Sequence, residues 1–247
     1  MPLNLNLPKK AGLFIAGTDI DVGKTLTAGA IARILVEQGV KVGVFKPIGT
    51  GCRRQWEGLV SGDADFLAGC ANSELAVSVI NPVAYLTDAS PFICVEREGR
   101  QIDFGSIAEA YRSVCENSEF VIVEGAGGVR EPLTEEFDLL DLAVEFDLPV
   151  VIVVRAKPGT VNHTLMTIDC VRAAKLRIVG VVINGYDARE ETVAGNTAGA
   201  VIAQFGGVDI LSEVPFDETV DIEQSYPGDF VIDALSDCDW VRLAQYK

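Results

Sequence analysis

Three features of the chain predict an α/β fold, a largely parallel sheet with helices on both faces. Short apolar, often β-branched runs alternate with longer segments of helical pattern. The short runs are apolar throughout, which suits strands covered on both faces. Glycine and polar residues follow each run, so a parallel sheet would gather them at one rim, where ligands of such sheets bind.

The first strand is expected over residues 13–16 and its helix over 26–38, ended by Gly39, a residue that readily takes the left-handed turn after a helix. A second strand follows at 42–45. Residues 46–62 read as loop, with Pro47, Gly49, Gly51, Gly58 and Gly62. A short helix is expected over 63–70, irregular chain over 81–98, where Pro82 and Pro91 fall, and a helix over 107–116. The strand at 120–123 runs into Glu124-Gly125-Ala126-Gly127-Gly128. Residues 139–146 read as helix, 150–154 as the most β-branched strand, 163–174 as helix and 178–183 as strand. A weaker helix over 192–205, a strand near 209–211 and a terminal helix over 234–245 complete the pattern. No linker-like composition or internal repeat divides the 247 residues, so one domain over 1–247 is expected, large enough for a substantial core.

Composition excludes several classes of function. Apolar residues make up 49% of the chain, too many for a disordered protein. The net charge of −16 argues against nucleic acid or an anionic membrane as partner. It also means that a polyanionic ligand needs the few cations focused in one place, with a metal ion to help. Cys52, Cys70, Cys94, Cys115, Cys170 and Cys238 form no CxxC pair and read as reduced thiols rather than a disulfide framework. The first ten residues lack the apolar centre of a signal peptide, and no apolar run approaches the ~18 residues of a membrane span. A soluble cytoplasmic protein is expected.

The chemistry centres on Gly17-Thr18-Asp19-Ile20-Asp21-Val22-Gly23-Lys24-Thr25, between the first strand and its helix. A glycine-containing loop there can turn backbone N–H groups toward a phosphate, and the helix start adds a favourable dipole. Lys24 would reach the β- and γ-phosphates and Thr25 would place its hydroxyl on Mg²⁺. Thr18 occupies the first glycine position of the usual motif, with Gly17 one step earlier, so an ordinary strand-to-helix turn is the alternative. Lys46 leaves the second strand as either a second cation at the transferred phosphate or a surface lysine with a buried stem. Glu124 ends an apolar strand, where a carboxylate is costly unless it meets a cation; Mg²⁺ is favoured over solvent. Asp63 is the candidate for the other metal carboxylate, though Asp63 or Asp65 could equally serve the start of a helix. Gly159-Thr160-Val161-Asn162 forms another helix start, fit for a carboxylate or merely capped. His163, the lone histidine, reads as structural. Asn184-Gly185 closes the fifth strand on the same rim. No Ser–His or Cys–His pair is evident.

The phosphate loop, Lys46-Pro47, Glu124-Gly125-Ala126-Gly127-Gly128 and Val161-Asn162-His163, in that order and at similar spacing, resemble the dethiobiotin synthetase family over about residues 11–218. The resemblance implies a P-loop NTPase-type fold with about seven parallel strands, and a homodimer. It implies closure of the ureido ring of dethiobiotin from 7,8-diaminopelargonic acid, CO₂ and ATP. A carbamate forms on one amine, the γ-phosphoryl passes to its oxygen, and the second amine expels phosphate. By position, Asp21, Val22, Gly23, Lys24, Thr25 and Leu26 would hold the triphosphate, and Thr25, Asp63 and Glu124 the Mg²⁺. Gly125, Ala126, Gly127 and Gly185 would join the nucleotide site, Asn184 would read the adenine, and Pro215, Phe216 and Asp217 would line its pocket. Lys46 and Lys24 would be catalytic and Thr50 a substrate contact. Gly159, Thr160, Val161 and Asn162, from the partner subunit, would meet the substrate carboxylate. Ile20 stands where the family usually has a small hydroxyl residue, Asp21 where it has Glu, Thr50 where it has Ser, and Phe92 where His is common. The alternatives are an ATP-dependent enzyme amidating corrinoid carboxylates and a partition-type nucleotide switch. The first adds a glutaminase domain, for which little room is expected after residue 218. The second adds an early lysine that residues 18–22 lack.

Overall fold

The computed structural model describes residues 3–56, 58–186 and 193–245. β1 (Gly12–Gly17) is wholly buried and leads through the glycine-containing loop into α1 (Lys24–Glu37). β2 (Val42–Phe45) follows, then three short strands, β3 (Ile48–Gly49), β4 (Arg53–Gln55) and β5 (Gly58–Val60). α2 (Gly62–Cys70), α3 (Val77–Ile80), β6 (Val83–Ala84) and α4 (Pro91–Glu98) lead to α5 (Phe104–Glu116), whose first turn is held by the Asp103 carboxylate on the Ser106 N–H at 3.0 Å. β7 (Phe120–Gly128) is followed by α6 (Leu139–Phe146), started by a reciprocal pair of bonds between Asp138 and Asp141. β8 (Val150–Arg155), α7 (Thr160–Ala173), β9 (Ile178–Tyr186), α8 (Val193–Gly206) and β10 (Ile210–Pro215) alternate, and α9 (Asp229–Ser236) and α10 (Trp240–Gln245) close the chain.

The central sheet has the order β10-β9-β8-β1-β7-β2, and every pairing in it is parallel. Side chains alternate across a strand, and the core divides accordingly. Leu13, Ile15, Phe120, Ile122, Val151 and Val153 face α1, α2, α9 and α10. Phe14, Ala16, Val121, Val123, Val150, Ile152 and Val154 face α4 to α8. The chain runs from β1 to β2 on one side and later crosses to β8 on the other. The carboxyl end of β1 is therefore where successive connections diverge, the place where such sheets open a binding crevice. The six cysteines are free thiols. No helix among the described residues is long and apolar enough to cross a membrane.

The structure departs from the sequence expectation in several places. Among the described residues the central sheet holds six strands, against the about seven that the resemblance implies: β10 ends at Pro215, which lacks an N–H, and Asp217 folds the chain into a turn by accepting the Thr219 N–H at 2.8 Å. Residues 46–62 are not plain loop, because β3 lies there and β4 pairs antiparallel with β5. Residues 91–98 are helical despite Pro91, which sits in the first turn, where a missing N–H costs nothing. The terminal helix is two helices, since α10 is anchored separately by buried Trp240, whose indole donates to the Leu235 carbonyl at 3.0 Å. α7 begins at Thr160 rather than 163, and α8 is described from Val193, with residue 192 outside the described residues.

Candidate active site

Strand alternation brings the central charges together. Lys46 follows Val42 and Val44 on the even positions of β2, and Glu124 follows Phe120 and Ile122 on those of β7, so both point to the α1 face. β2 pairs with β7 with Phe45 opposite Val123, which sets Lys46 beside Glu124. The Lys46 ammonium lies 2.5 Å from Glu124 Oε1 and 2.9 Å from Asp63 Oδ2. Thr25 Oγ1, in the first turn of α1, donates to the same Glu124 oxygen at 2.8 Å. Burial works to lower the Lys46 pKa, but the Glu124 and Asp63 charges outweigh it, and the amine stays protonated with its pKa raised. The Lys46 charge in turn holds the Asp63 carboxyl below its usual range. Burial pushes the Glu124 carboxyl up, against the pull of Lys46.

Asp63 is a first-turn acid of α2 and also a partner of Lys46. The helix cap itself is Ser61, which accepts the Ala64 N–H, and Asp65 is exposed. Glu124 is fully buried, and its Oε2 has no hydrogen-bond partner among the described residues. An orphaned carboxylate oxygen beside a second carboxylate and a threonine hydroxyl suits a hard cation. Two carboxylates and a hydroxyl are too few to cage one; this donor set fits an ion that also takes phosphate and water oxygens.

The phosphate loop is preformed. Gly23 (φ 95) caps α1 in the left-handed region, and a Cβ there would collide with the Asn184 amide. Gly17 explains the displaced first glycine: a Cβ at this position would lie 2.8 Å from the Lys24 stem, which passes beneath the loop. The Lys24 ammonium donates to the Asp19 carbonyl at 2.8 Å. Burial, then the nearby Lys46 charge, lowers the Lys24 pKa to about 8.

Comparison with known proteins decides the family. A family model described as an AAA domain matches residues 11–224. The ATP-dependent dethiobiotin synthetase BioD of Aliivibrio fischeri (strain MJ11) is 39% identical over 73% of this chain and 80% of its own length. That of Thermodesulfovibrio yellowstonii is 32% identical over 84% of this chain and 89% of its own. The chain belongs to the ATP-dependent dethiobiotin synthetase family. It is accordingly an enzyme of the ATP-dependent ligase type. The fold is similar to that of the MinC:MinD cell division protein complex of Aquifex aeolicus, at a TM-score of 0.56 and 15% identity, covering 94% of this chain and 93% of that one. It is similar also to a ParA family ATPase from Chlorobium tepidum TLS, at 0.58 and 13%, covering 94% and 99%. At such identities the likeness speaks for the fold alone.

The remaining residues singled out for a dethiobiotin synthetase are distributed as follows. Val22 is buried, Leu26 half-buried, and Asp21 is exposed with φ 52. Gly125 packs under Phe14 and Leu139, and Ala126 is buried. The Asn184 amide donates to the Val22 carbonyl at 3.1 Å, so this residue braces the phosphate loop, and Gly185 (φ 71) turns the chain after it. Pro215 ends β10 and Phe216 is 58% exposed, while Asp217 is buried with its carboxylate accepting the Thr219 and Phe230 N–H groups. The Asp217 carboxylate thus ties the turn after β10 to the start of α9. Thr50 is half-buried after β3. At the start of α7, Gly159 (φ 90) is the cap residue, no side chain caps the helix, and Asn162 and His163 are exposed. Thr160 is buried and does not cap its helix by its side chain.

Sequence reasoning missed Glu131. It sits three residues beyond the glycine stretch, at a position whose neighbours in space depend on the turn after β7. Its surroundings place it at the phosphate loop.

Proposed function

We propose that the chain closes the ureido ring of dethiobiotin from 7,8-diaminopelargonic acid, CO₂ and ATP, with Mg²⁺, releasing ADP and phosphate. The observation that carries this reading is the single cluster in which two lysines, two carboxylates and Thr25 meet at the ends of β1, β2 and β7. Phosphoryl transfer asks a protein mainly for positioning and charge stabilisation, and this cluster provides both without a side-chain nucleophile. Lys24 and the N–H groups of the loop would hold the triphosphate at the start of α1. Lys46 faces the same point from β2, where it can neutralise the carbamate oxygen and the phosphoryl group that joins it. The substrate's own second amine then attacks the mixed anhydride.

Thr25, Asp63 and Glu124 would hold Mg²⁺, which when bound supplies charge neutralisation between the phosphates. Lys46 lies between the two carboxylates and offsets part of their charge. Activity is expected to vanish with chelator and return with Mg²⁺. Glu124→Gln is expected to weaken Mg–nucleotide binding by at least roughly ten-fold, the cost of losing even a supporting metal contact. Isothermal titration measures this, and normal affinity with normal turnover in that variant would put the metal elsewhere.

The far end of the substrate carries a carboxylate. The start of α7 follows β8, three strand steps from β2 and so about 14 Å across the sheet within one chain. We propose that the partner subunit of a cytoplasmic homodimer supplies this helix start, with Gly159, Thr160, Val161 and Asn162 at the carboxylate. Asn162→Ala is then expected to raise the KM for the diamine about ten-fold, the worth of one hydrogen bond to a charged group, and to leave that for ATP unchanged. Sedimentation should show a dimer; a fully active monomer would rule out the shared site.

The reading is tested by ATP consumption with and without the diamine. Dethiobiotin, identified by mass, should form in equal amount with phosphate. ATP hydrolysis indifferent to the diamine would instead fit a nucleotide switch.

A further inference from the structure

Glu131 stands beside the phosphate loop, next to Gly127 and within reach of the Asp19 and Lys24 charges. Its N–H donates to the Gly128 carbonyl at 3.0 Å, a tight turn that sends its side chain back along the end of β7. The carboxylate accepts the Gly128 N–H and lies over Gly127, where a Cβ would sit 2.6 Å from Glu131 Oε2. The same glycine stretch abuts the phosphate loop, since a Cβ at Gly128 would lie 3.4 Å from the Thr18 carbonyl. Asp19 and Lys24 are the charges nearest in effect. Lys24 donates to the Asp19 carbonyl, and the neighbouring Arg130 is paired with Asp138 at 3.0 Å. Glu131 is half-buried and makes no salt bridge among the described residues. Burial, with the Asp19 charge, raises its pKa, so it is a better proton acceptor than an ordinary surface carboxylate.

Glu124, which holds Lys46, lies on β7, and Glu131 stands in the turn that follows β7, so a carboxylate paired with a lysine and one without a salt bridge among the described residues lie at the same end of the sheet. A diamine brings one nitrogen as carbamate and the other as ammonium. The carbamate suits Lys46, and the ammonium needs a carboxylate. We propose that the Glu131 carboxylate receives the ammonium of the ring-closing nitrogen and takes its proton. This rests on the diamine reading above. The ammonium gives one proton to Glu131, which frees the nitrogen lone pair. The lone pair attacks the carbonyl carbon of the carbamic–phosphoric anhydride and the C–N bond forms. The bond from that carbon to the bridging oxygen breaks, and phosphate leaves with the electron pair and the second N–H proton.

Glu131→Gln removes the charge but keeps an oxygen for the Gly128 N–H, so the turn is preserved. The test uses the full chain, the diamine and the two analogues that each lack one amine. In the wild-type protein, titration should show at least one analogue binding about ten-fold more weakly than the diamine, the worth of a charge-assisted hydrogen bond. In Glu131→Gln that gap should close, ATP affinity should be unchanged, and dethiobiotin formed per ATP consumed should fall. A gap that survives in Glu131→Gln, with unchanged dethiobiotin per ATP, overturns the role of Glu131 alone. A wild-type protein that makes no dethiobiotin from the diamine overturns the underlying reading instead.

Discussion

Lys46→Gln is expected to lower dethiobiotin formation by roughly a hundred- to a thousand-fold, the loss seen when one preorganised donor to developing charge is removed. ATP should still bind within a few-fold of normal, because the triphosphate site proposed here lies at the loop before α1 rather than at β2. The same change should destabilise the free protein. Glu124 is fully buried, and losing its partner leaves a charge that burial penalises, a cost of about 3–5 kcal/mol for a broken buried pair. Adding Glu124→Gln removes both charges and should return most of that stability without returning activity. Thermal melting and single-turnover assays of the single and double variants read the two effects apart. A Lys46→Gln protein that loses ATP affinity yet turns over bound ATP normally would make Lys46 a nucleotide anchor only.

The rim at which Lys46 and Glu124 lie was legible in the sequence, because each ends an apolar run, but their common face was not, because strands apolar throughout do not mark which side is which. That they are neighbours was not, since it depends on β7 entering the sheet between β1 and β2, a pairing of residues 78 apart in sequence. The phosphate loop was readable down to Lys24 and Thr25, and its shifted first glycine finds its reason in the Lys24 stem. The pairing of β4 with β5 was hidden by glycines that read as loop, and α4 by a proline whose position in the first turn made it harmless. The use of Asp217 in holding a turn and the start of α9 was not legible, because it involves Thr219 and Phe230 in a segment with little periodic pattern. The N-terminal residues carry no motif, yet Leu3, Leu5 and Leu7 pack on the core and the Asn4 and Leu5 N–H groups bond Glu145. Contacts of this kind depend on tertiary placement, which local pattern does not encode.

Lys24→Ala is expected to lower turnover by at least ten- to a hundred-fold, since a charge-assisted hydrogen bond is worth about 1.5–3 kcal/mol and should count for no less in the transition state. Its effect on stability should run the other way. The folded pKa of Lys24, about 8, lies below its ordinary value of 10.5, so charging this amine costs more in the folded chain than in the unfolded one. That cost is fully present below about pH 8 and gone above about pH 10.5. Removing the amine should therefore leave the melting temperature at pH 7 unchanged or higher, and the difference from wild type should shrink as pH rises through that window. Lys24 is buried near the Lys46 charge and makes no salt bridge among the described residues, and the triphosphate proposed for this site would supply the missing partner. Melting curves at pH 7 and pH 10, set beside turnover, test both halves. Turnover near wild type would remove the phosphate-loop role of Lys24, and a large loss of stability at pH 7 would show that the amine holds the fold together rather than waiting for a ligand.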